Sequence, residues 1–270
     1  MTTLTQYVVD AFTDKIFAGN PAAVCVMDRW LPDALMQKIA IENNLSETAF
    51  AVKMGDLYHL RWFTPGGEIE LCGHATLATA YVVMRFVEPE LREVRFTTLS
   101  GILVVTRKDD LFSLEFPTFP LREVEEADVL EAVEKAIGVK PAKIYMGADM
   151  VCVLESEESV RAVRPDQALV HDLEGVCLHV TARAKAGEYD CITRSFAPKC
   201  GVAEDPVCGR GHCHVVSIWA KALGKSELTA YQASARGGVL YCRYEGKKTI
   251  LSGRAALFSE AIIHFDEEVA

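Results

Sequence analysis

Glu70-Leu71-Cys72-Gly73-His74-Ala75-Thr76-Leu77-Ala78-Thr79-Ala80-Tyr81-Val82-Val83-Met84 carries no acidic or strongly basic residue between Glu70 and Arg85. Such a run is too short to span a bilayer and reads as a helix, over 73 to about 87, buried on all sides. The first turn of any helix leaves backbone N–H groups unpaired at the positive end of its dipole. Gly73 lets a ligand approach that backbone closely. The stretch predicts an anion-accepting helix start set inside a core, and what raises it above an ordinary core helix is that it occurs twice.

Arg61-Trp62-Phe63-Thr64-Pro65 matches Arg194-Ser195-Phe196-Ala197-Pro198. Each motif is followed by an acidic residue, then Cys-Gly, then an apolar helix: Cys72-Gly73 in the first half, Cys208-Gly209 in the second. Gly101-Ile102-Leu103-Val104 then matches Gly237-Gly238-Val239-Leu240, at equal separation from the respective cysteine. Gly19 to Cys25-Val26 has a fainter echo in Gly147 to Cys152-Val153. The shared order of these matches predicts an internal duplication. Two such halves facing across a pseudo-two-fold axis would bring two helix starts to one cleft, suited to a small carboxylate.

Strands and helices alternate without a strict βαβ rhythm, so the expected class is α+β. Strands are expected at 6–12, 22–27, 46–52, 57–63, 93–97, 102–107 and 112–116 in the first half. The second half is expected to carry them at 143–147, 150–154, 176–182, 189–195, 238–244, 248–251 and 261–265. Helices are expected from Pro32 to Asn43, 124–137, 160–168 and 211–223. Pro117 and Pro120 bracket the junction, which predicts domains at 1–118 and 119–259, with a C-terminal strand at 260–270 completing the first.

The chain has 270 residues, half of them hydrophobic, and a formal charge of −10. That composition suits a globular protein with a sizeable core. The acidic balance and the lack of a basic run exclude a nucleic-acid binder. No segment reads as membrane-spanning or as a signal peptide, so a cytoplasmic location is expected. The nine cysteines are scattered without a CxxC pair, which predicts free thiols. Cys200, Cys208, His212, Cys213 and His214 lack the spacing of a tetrahedral zinc site, so no metal is expected there. GxGxxG, GxxxxGK[ST] and GxSxG are absent.

Three groups stand out for chemistry. Glu47 heads an apolar strand, where burial would raise its pKa toward that of a proton shuttle. His74 follows Gly73 at the helix start and can donate to a substrate oxygen. Asp205 precedes the second helix, where it either caps the turn or holds a substrate amine or hydroxyl. Cys72 and Cys208 occupy matched helix starts, where a thiol pKa is expected to fall. As paired bases on opposite faces of a carbon they would form a racemase.

At these residues the sequence resembles the PhzF (phenazine biosynthesis-like) family of the diaminopimelate-epimerase-like superfamily. The resemblance is carried by Val9-Asp10-Ala11-Phe12, Gly19-Asn20-Pro21-Ala22, Ser46-Glu47-Thr48-Ala49-Phe50, Arg61-Trp62-Phe63-Thr64-Pro65, Cys72-Gly73-His74-Ala75-Thr76 and Glu204-Asp205-Pro206-Val207. It implies two pseudo-symmetric domains, each an antiparallel sheet or barrel curled around a central helix, with the site between them. It also implies a cofactor-independent isomerase, usually homodimeric, that moves a proton on a small carboxylated substrate. Glu47, His74 and Asp205 fall on the family's catalytic positions. Ser46, Gly73, Gly209 and Arg210 are the expected substrate contacts. The departure is Cys208-Gly209-Arg210-Gly211, where the family has Thr-Gly followed by a small polar residue and Ala. Arg210 would either clamp a second carboxylate or block the usual substrate. Cys208 restores a two-cysteine pattern, so a two-thiol epimerase and a non-catalytic carboxylate binder stand as alternatives.

Overall fold

A computed structural model describes residues 2–185 and 187–266. The last four residues of the strand expected at 260–270 lie outside the described residues. The chain divides into two compact units, one formed by residues up to Glu115 together with those from Ser252 onward, the other by Phe116–Leu251.

In unit 1, strands β1 (Thr2–Ala11) and β2 (Asn20–Met27) precede helix α1 (Asp33–Asn43). Then come β3 (Glu47–Met54), β4 (Leu57–Thr64), the short β5 (Gly67–Ile69) and helix α2 (Gly73–Val82). Strands β6 (Glu93–Thr98), β7 (Gly101–Lys108) and β8 (Leu111–Pro117) follow. In unit 2, β9 (Arg122–Val124), α3 (Ala127–Ile137), β10 (Lys143–Met146) and β11 (Met150–Val153) lead into helices α4 (Glu157–Ala162) and α5 (Gln167–Asp172). Strands β12 (Leu178–Arg183), β13 (Cys191–Ala197) and β14 (Val202–Asp205) precede helix α6 (Gly209–Leu223). Strands β15 (Glu227–Gln232), β16 (Gly238–Tyr244) and β17 (Lys248–Gly253) end the unit, and β18 (Ala255–Phe265) returns to pair with β1.

The duplication is visible in the pairing. In unit 1, β1–β2 is antiparallel, β2–β3 parallel, β3–β4 antiparallel, β4–β6 parallel and β6–β7 antiparallel. Unit 2 repeats this order with β10–β11, β11–β12, β12–β13, β13–β15 and β15–β16. The fold is α+β, as expected, but each sheet is mixed rather than wholly antiparallel. The reason is connectivity. Parallel neighbours need a crossover, and α1 supplies it between β2 and β3, α2 between β4 and β6.

Helix α2 has no polar face. His74 through Ala80 and Val82 are all buried. The two threonines in it do not leave their hydroxyls stranded. Thr76 Oγ1 donates back to the Cys72 carbonyl and Thr79 Oγ1 to the Ala75 carbonyl, the four-residue back-bond that lets Thr sit inside a helix. A π-turn over Val83–Val87 continues it to the expected end. The run expected as one helix at 160–168 is two, α4 and α5, because Pro165 cannot continue the first. Strands β5, β9, β14 and β15 were not read from the sequence. The first three are only three or four residues long. No helix among the described residues is long and apolar enough to cross a membrane.

Leu77 is fully buried at the middle of α2. Leu77→Ala is expected to lower unfolding free energy by about 2–5 kcal/mol, read as a shifted midpoint with unchanged slope in urea denaturation.

Candidate active site

The two matched arginines build the approach to each helix. Arg61 forms a bidentate pair with Glu68, both bonds 2.7 Å, and lies 5.1 Å over the Phe63 ring. Arg194 does the same with Glu204, both bonds 2.8 Å, and lies 5.0 Å over Phe196. Each fork ties the two arms of a hairpin, β4–β5 or β13–β14, and the chain leaving that hairpin enters the Cys-Gly turn.

In unit 1 the parallel β2–β3 register sets Glu47 opposite Ala22, at the first position of β3. Cys72 is the residue before α2, in extended conformation, and its carbonyl accepts Thr76 N–H. This arrangement gathers Glu47, Cys72 and His74. Glu47 Oε2 lies 2.9 Å from His74 Nε2, and Cys72 Sγ lies 3.5 Å from His74 Nδ1. The side chains of His74 and Glu47 are only 9% and 14% exposed. Glu47 Oε2 and His74 Nε2 form this ion pair, and neither atom has a further hydrogen-bond partner among the described residues.

The electrostatics follow from that proximity. Burial alone would push the Glu47 carboxyl up, but His74, with Ser46 and Cys72, more than offsets this and holds it below the usual carboxylate range. This reverses the direction expected from the sequence, which did not place His74 against Glu47. Burial alone would lower the His74 imidazolium. Cys72 and Glu47 beside it overcome this and raise it well above its ordinary value. Carboxylate and imidazolium are therefore the favoured pair of states. Burial pushes the Cys72 thiol up, and the Glu47 charge adds to that, against His74.

Unit 2 has the same frame and different chemistry. At the position matching His74 stands Arg210. Its Nε and Nη2 donate to Asp149 at 2.6 and 3.1 Å. Asp149 is fully buried. It also accepts from Cys177 N–H at 3.2 Å and faces His179 Nε2 at 3.3 Å. His179 Nδ1 in turn lies 3.0 Å from Ser195 Oγ. Burial would raise the Asp149 carboxyl; His179 and Arg210 together hold it far below the usual range. His214 donates through Nδ1 to the Arg210 carbonyl and accepts Asp149 N–H at Nε2, both bonds requiring the neutral ring. Burial lowers its pKa to about 4, consistent with that. None of Asp149, His179 or Ser195 was singled out in the sequence.

The other expected residues fall as follows. Asp205 Oδ1 accepts Val207 N–H at 3.1 Å, an Asx turn on the approach to α6, whose N-cap is Cys208. Gln232, fully buried, locks this turn by donating to the Asp205 carbonyl and accepting Cys208 N–H. Cys208 is the N-cap of α6, its Sγ accepting Gly211 N–H at 3.3 Å. Burial and the nearby Asp205 charge push its thiol well above the ordinary value. Ser46 donates to Asn20 Oδ1 at 3.4 Å and lies against Glu47. Gly73 and Gly209 open α2 and α6. The zinc set considered at 200–214 does not assemble: Cys200 is exposed, while His212 donates to the Cys208 carbonyl.

A hydroxyproline epimerase of Agrobacterium vitis shares the fold at TM-score 0.58 over 97% of this chain and 92% of that one, at 10% identity. The family model of phenazine biosynthesis-like proteins matches residues 9–261. An uncharacterized isomerase of Pseudomonas aeruginosa is 46% identical over 94% of this chain and 96% of its own length. A PhzF-family crystal structure from Enterococcus faecalis superposes at TM-score 0.94, with 44% identity over 98% of this chain and all of that one. The chain belongs to the phenazine biosynthesis-like (PhzF) family and is an isomerase.

Gly211 sits where a Cβ would lie 2.7 Å from His179 Nδ1 and 3.0 Å from Ser195 Oγ. Gly→Ala in a helix ordinarily gains up to about 1 kcal/mol; forcing a methyl into a filled core costs about 1–3 kcal/mol. Gly211→Ala is expected to be net destabilising, by about 1–2 kcal/mol, measured by chemical denaturation.

Proposed function

We propose that the protein moves a proton between two carbons on one face of a small carboxylated substrate, with Glu47 as the acid/base and no cofactor. The observation that carries this reading is the buried Glu47–His74 ion pair, 2.9 Å apart, with neither of the two atoms bonded to any other group among the described residues. A carboxylate held ionised and dry next to an imidazolium is a competent base. Once it has taken a proton, the same imidazolium can donate to the substrate oxygen on which charge develops. Gly73 and His74 lie in the first turn of α2, where unpaired amides suit a carboxylate.

The asymmetry between the repeats favours a single base. Glu47 can accept a proton from the substrate and His74 can give one up during turnover. Arg210 and Asp149, at the matched helix start, cannot, because a guanidinium does not deprotonate and the Asp149 carboxyl is held far below its usual range. The chemistry available in unit 2 is anchoring. The Nη1 edge of Arg210 carries no bond to Asp149, which suits an anion, and Asp205 suits a hydroxyl or amine.

The two-thiol alternative rests on Cys72 and Cys208 at matched helix starts. Against it, burial pushes both thiols up, and Cys208 Sγ is engaged as a helix cap.

Glu47→Gln is expected to lower kcat by roughly 10²–10⁴-fold, the range for removing a general acid/base, while ligand binding persists. Cys208→Ser should retain most turnover, because a serine hydroxyl can serve the same capping role. Solvent-deuterium incorporation into a turned-over acid reports both. Full activity in Glu47→Gln, or lost exchange in well-folded Cys208→Ser, would overturn the single-base reading.

The pH profile follows from the two shifts. The Glu47 carboxylate, with its pKa lowered from 4.5, is present above that lowered value and lost as pH falls through it. The His74 imidazolium, with its pKa raised above 6.5, is present below that raised value and lost as pH rises through it. The plateau in kcat/KM is expected to extend below pH 4.5 and above pH 6.5, wider than the free side chains would give.

A further inference from the structure

Glu47 is delivered by a short turn, and a polar network in unit 1 holds that turn from the side away from the carboxylate. Helix α1 ends at Asn43, Asn44 reverses the chain in the left-handed conformation at φ 48°, and β3 begins at Glu47. Successive residues of a strand face opposite ways, so Glu47 and Thr48 leave β3 on opposite faces. The Glu47 face meets α2, where the carboxylate pairs with His74 at 2.9 Å. The Thr48 face carries Phe50 and Val52 into the cluster built on Leu35, Met36, Ile39 and Ala40 of α1.

Asn43, the last residue of α1, ties the end of this interface to two strands. Its Nδ2 donates to Thr48 Oγ1 at 3.0 Å and to Gln6 Oε1 at 2.9 Å, and its Oδ1 accepts from Gln6 Nε2 at 3.0 Å. Both amide protons and the oxygen are thus engaged. Gln6 Oε1 also accepts from the Cys25 thiol at 3.9 Å. Gln6 and Thr48 are both buried, which shields these bonds from water. One residue before the acid, Ser46 Oγ donates to Asn20 Oδ1 at 3.4 Å. Apolar side chains at 6 and 48 would fill the same core without fixing a direction. A satisfied polar network fixes one.

We propose that Asn43, anchored on Gln6 and Thr48, is a positioning residue for Glu47: it fixes the turn that sets the carboxylate against His74. The network reaches Glu47 through the backbone between Asn43 and Thr48, four residues on one side of the acid and one on the other. A reacting group has to be held to within about 0.5 Å by neighbours that are themselves locked. A misplacement of about 1 Å can cost about 10²-fold in rate. The catalytic consequence rests on Glu47 being the acid/base; the placement of its carboxylate does not.

The test reads Glu47 directly and needs no substrate. Protein labelled with carbon-13 at its glutamate carboxyls is titrated by NMR, and the Glu47 signal is the one missing from Glu47→Gln. Burial raises this carboxyl, while His74 and Cys72 from α2, with Ser46 beside it, bring it below its ordinary value. Loosening the turn weakens the His74 contact. Thr48→Val and Asn43→Ala are therefore each expected to raise the Glu47 midpoint by about one pH unit. Solvent-deuterium exchange into the acid that the unmodified protein turns over should slow by about 10–100-fold, with KM unchanged. Thr48→Ser keeps the hydroxyl and should leave both readouts where they were. Circular dichroism checks that each variant is folded. Should Asn43→Ala misfold, Thr48→Val, which removes one hydroxyl at nearly constant shape, decides alone. A midpoint unmoved in either folded variant, or moved as far in Thr48→Ser, overturns the positioning role. A raised midpoint with undiminished exchange upholds the positioning role and overturns Glu47 as the base.

Discussion

A carboxylate removed from water must find a compensating charge or several hydrogen bonds, because its desolvation otherwise costs several kcal/mol. This chain buries one such acid beside each of its two central helices. Glu47 on β3 is met by His74, and Asp149 beside β11 is met by Arg210. Both cations are the residue after the glycine that opens the helix. That constraint fixes how each helix start is seated against its sheet. It explains why the hairpins leading there are clamped by Arg61–Glu68 and Arg194–Glu204. A helix displaced by an ångström would strand a charge in the core.

The two solutions differ in rigidity and in chemistry. Asp149 spends its oxygens on Arg210, His179 and a backbone amide, and that network continues to Ser195. Such a fully satisfied network orders its surroundings. Glu47 Oε2 has the His74 ion pair and no further hydrogen-bond partner among the described residues. The matched helix starts therefore carry different groups, an acid with an imidazole in one unit and an acid with a guanidinium in the other.

Much of this was legible in the sequence, and the part that was not has a common cause. The Cys-Gly repeat and the Arg-x-Phe-x-Pro motif are contiguous, and they led to the duplication, to α2 and α6, and to Glu47, His74 and Arg210. Asp149 touches Arg210 across 61 positions and His179 across 30. No local pattern announces such a pairing, so an isolated buried aspartate looked like any loop acid. The same gap reversed the expected direction for Glu47, since burial was foreseen and the adjacent imidazole was not. The parallel strand pairs were missed because parallel and antiparallel strands share the same alternation of side chains. The pairing direction is set by the helix between them.

The cysteines show how a sound local rule is overruled by its surroundings. A helix start stabilises a nearby anion by about 0.3–1 kcal/mol at exposed positions and up to about 2 kcal/mol when partly buried, which alone would lower a thiol pKa. Burying a thiolate costs more, and Cys25, buried in β2 with desolvation as the one cause of its shift, shows that cost by its strongly raised pKa. Cys72 and Cys208 both sit at helix starts and are both raised, so desolvation wins at each. Their difference lies in the neighbour. Cys72 has His74 against it, a group that lowers its pKa, whereas Cys208 has Asp205, which raises it. The matched positions therefore hold two unlike thiols. Cys208 acts as a helix cap in hydrocarbon-like surroundings. Cys72 lies 3.5 Å from the His74 ring, which in turn lies 2.9 Å from Glu47, so its protonation is coupled to an acid–imidazole pair where that of Cys208 answers to Asp205.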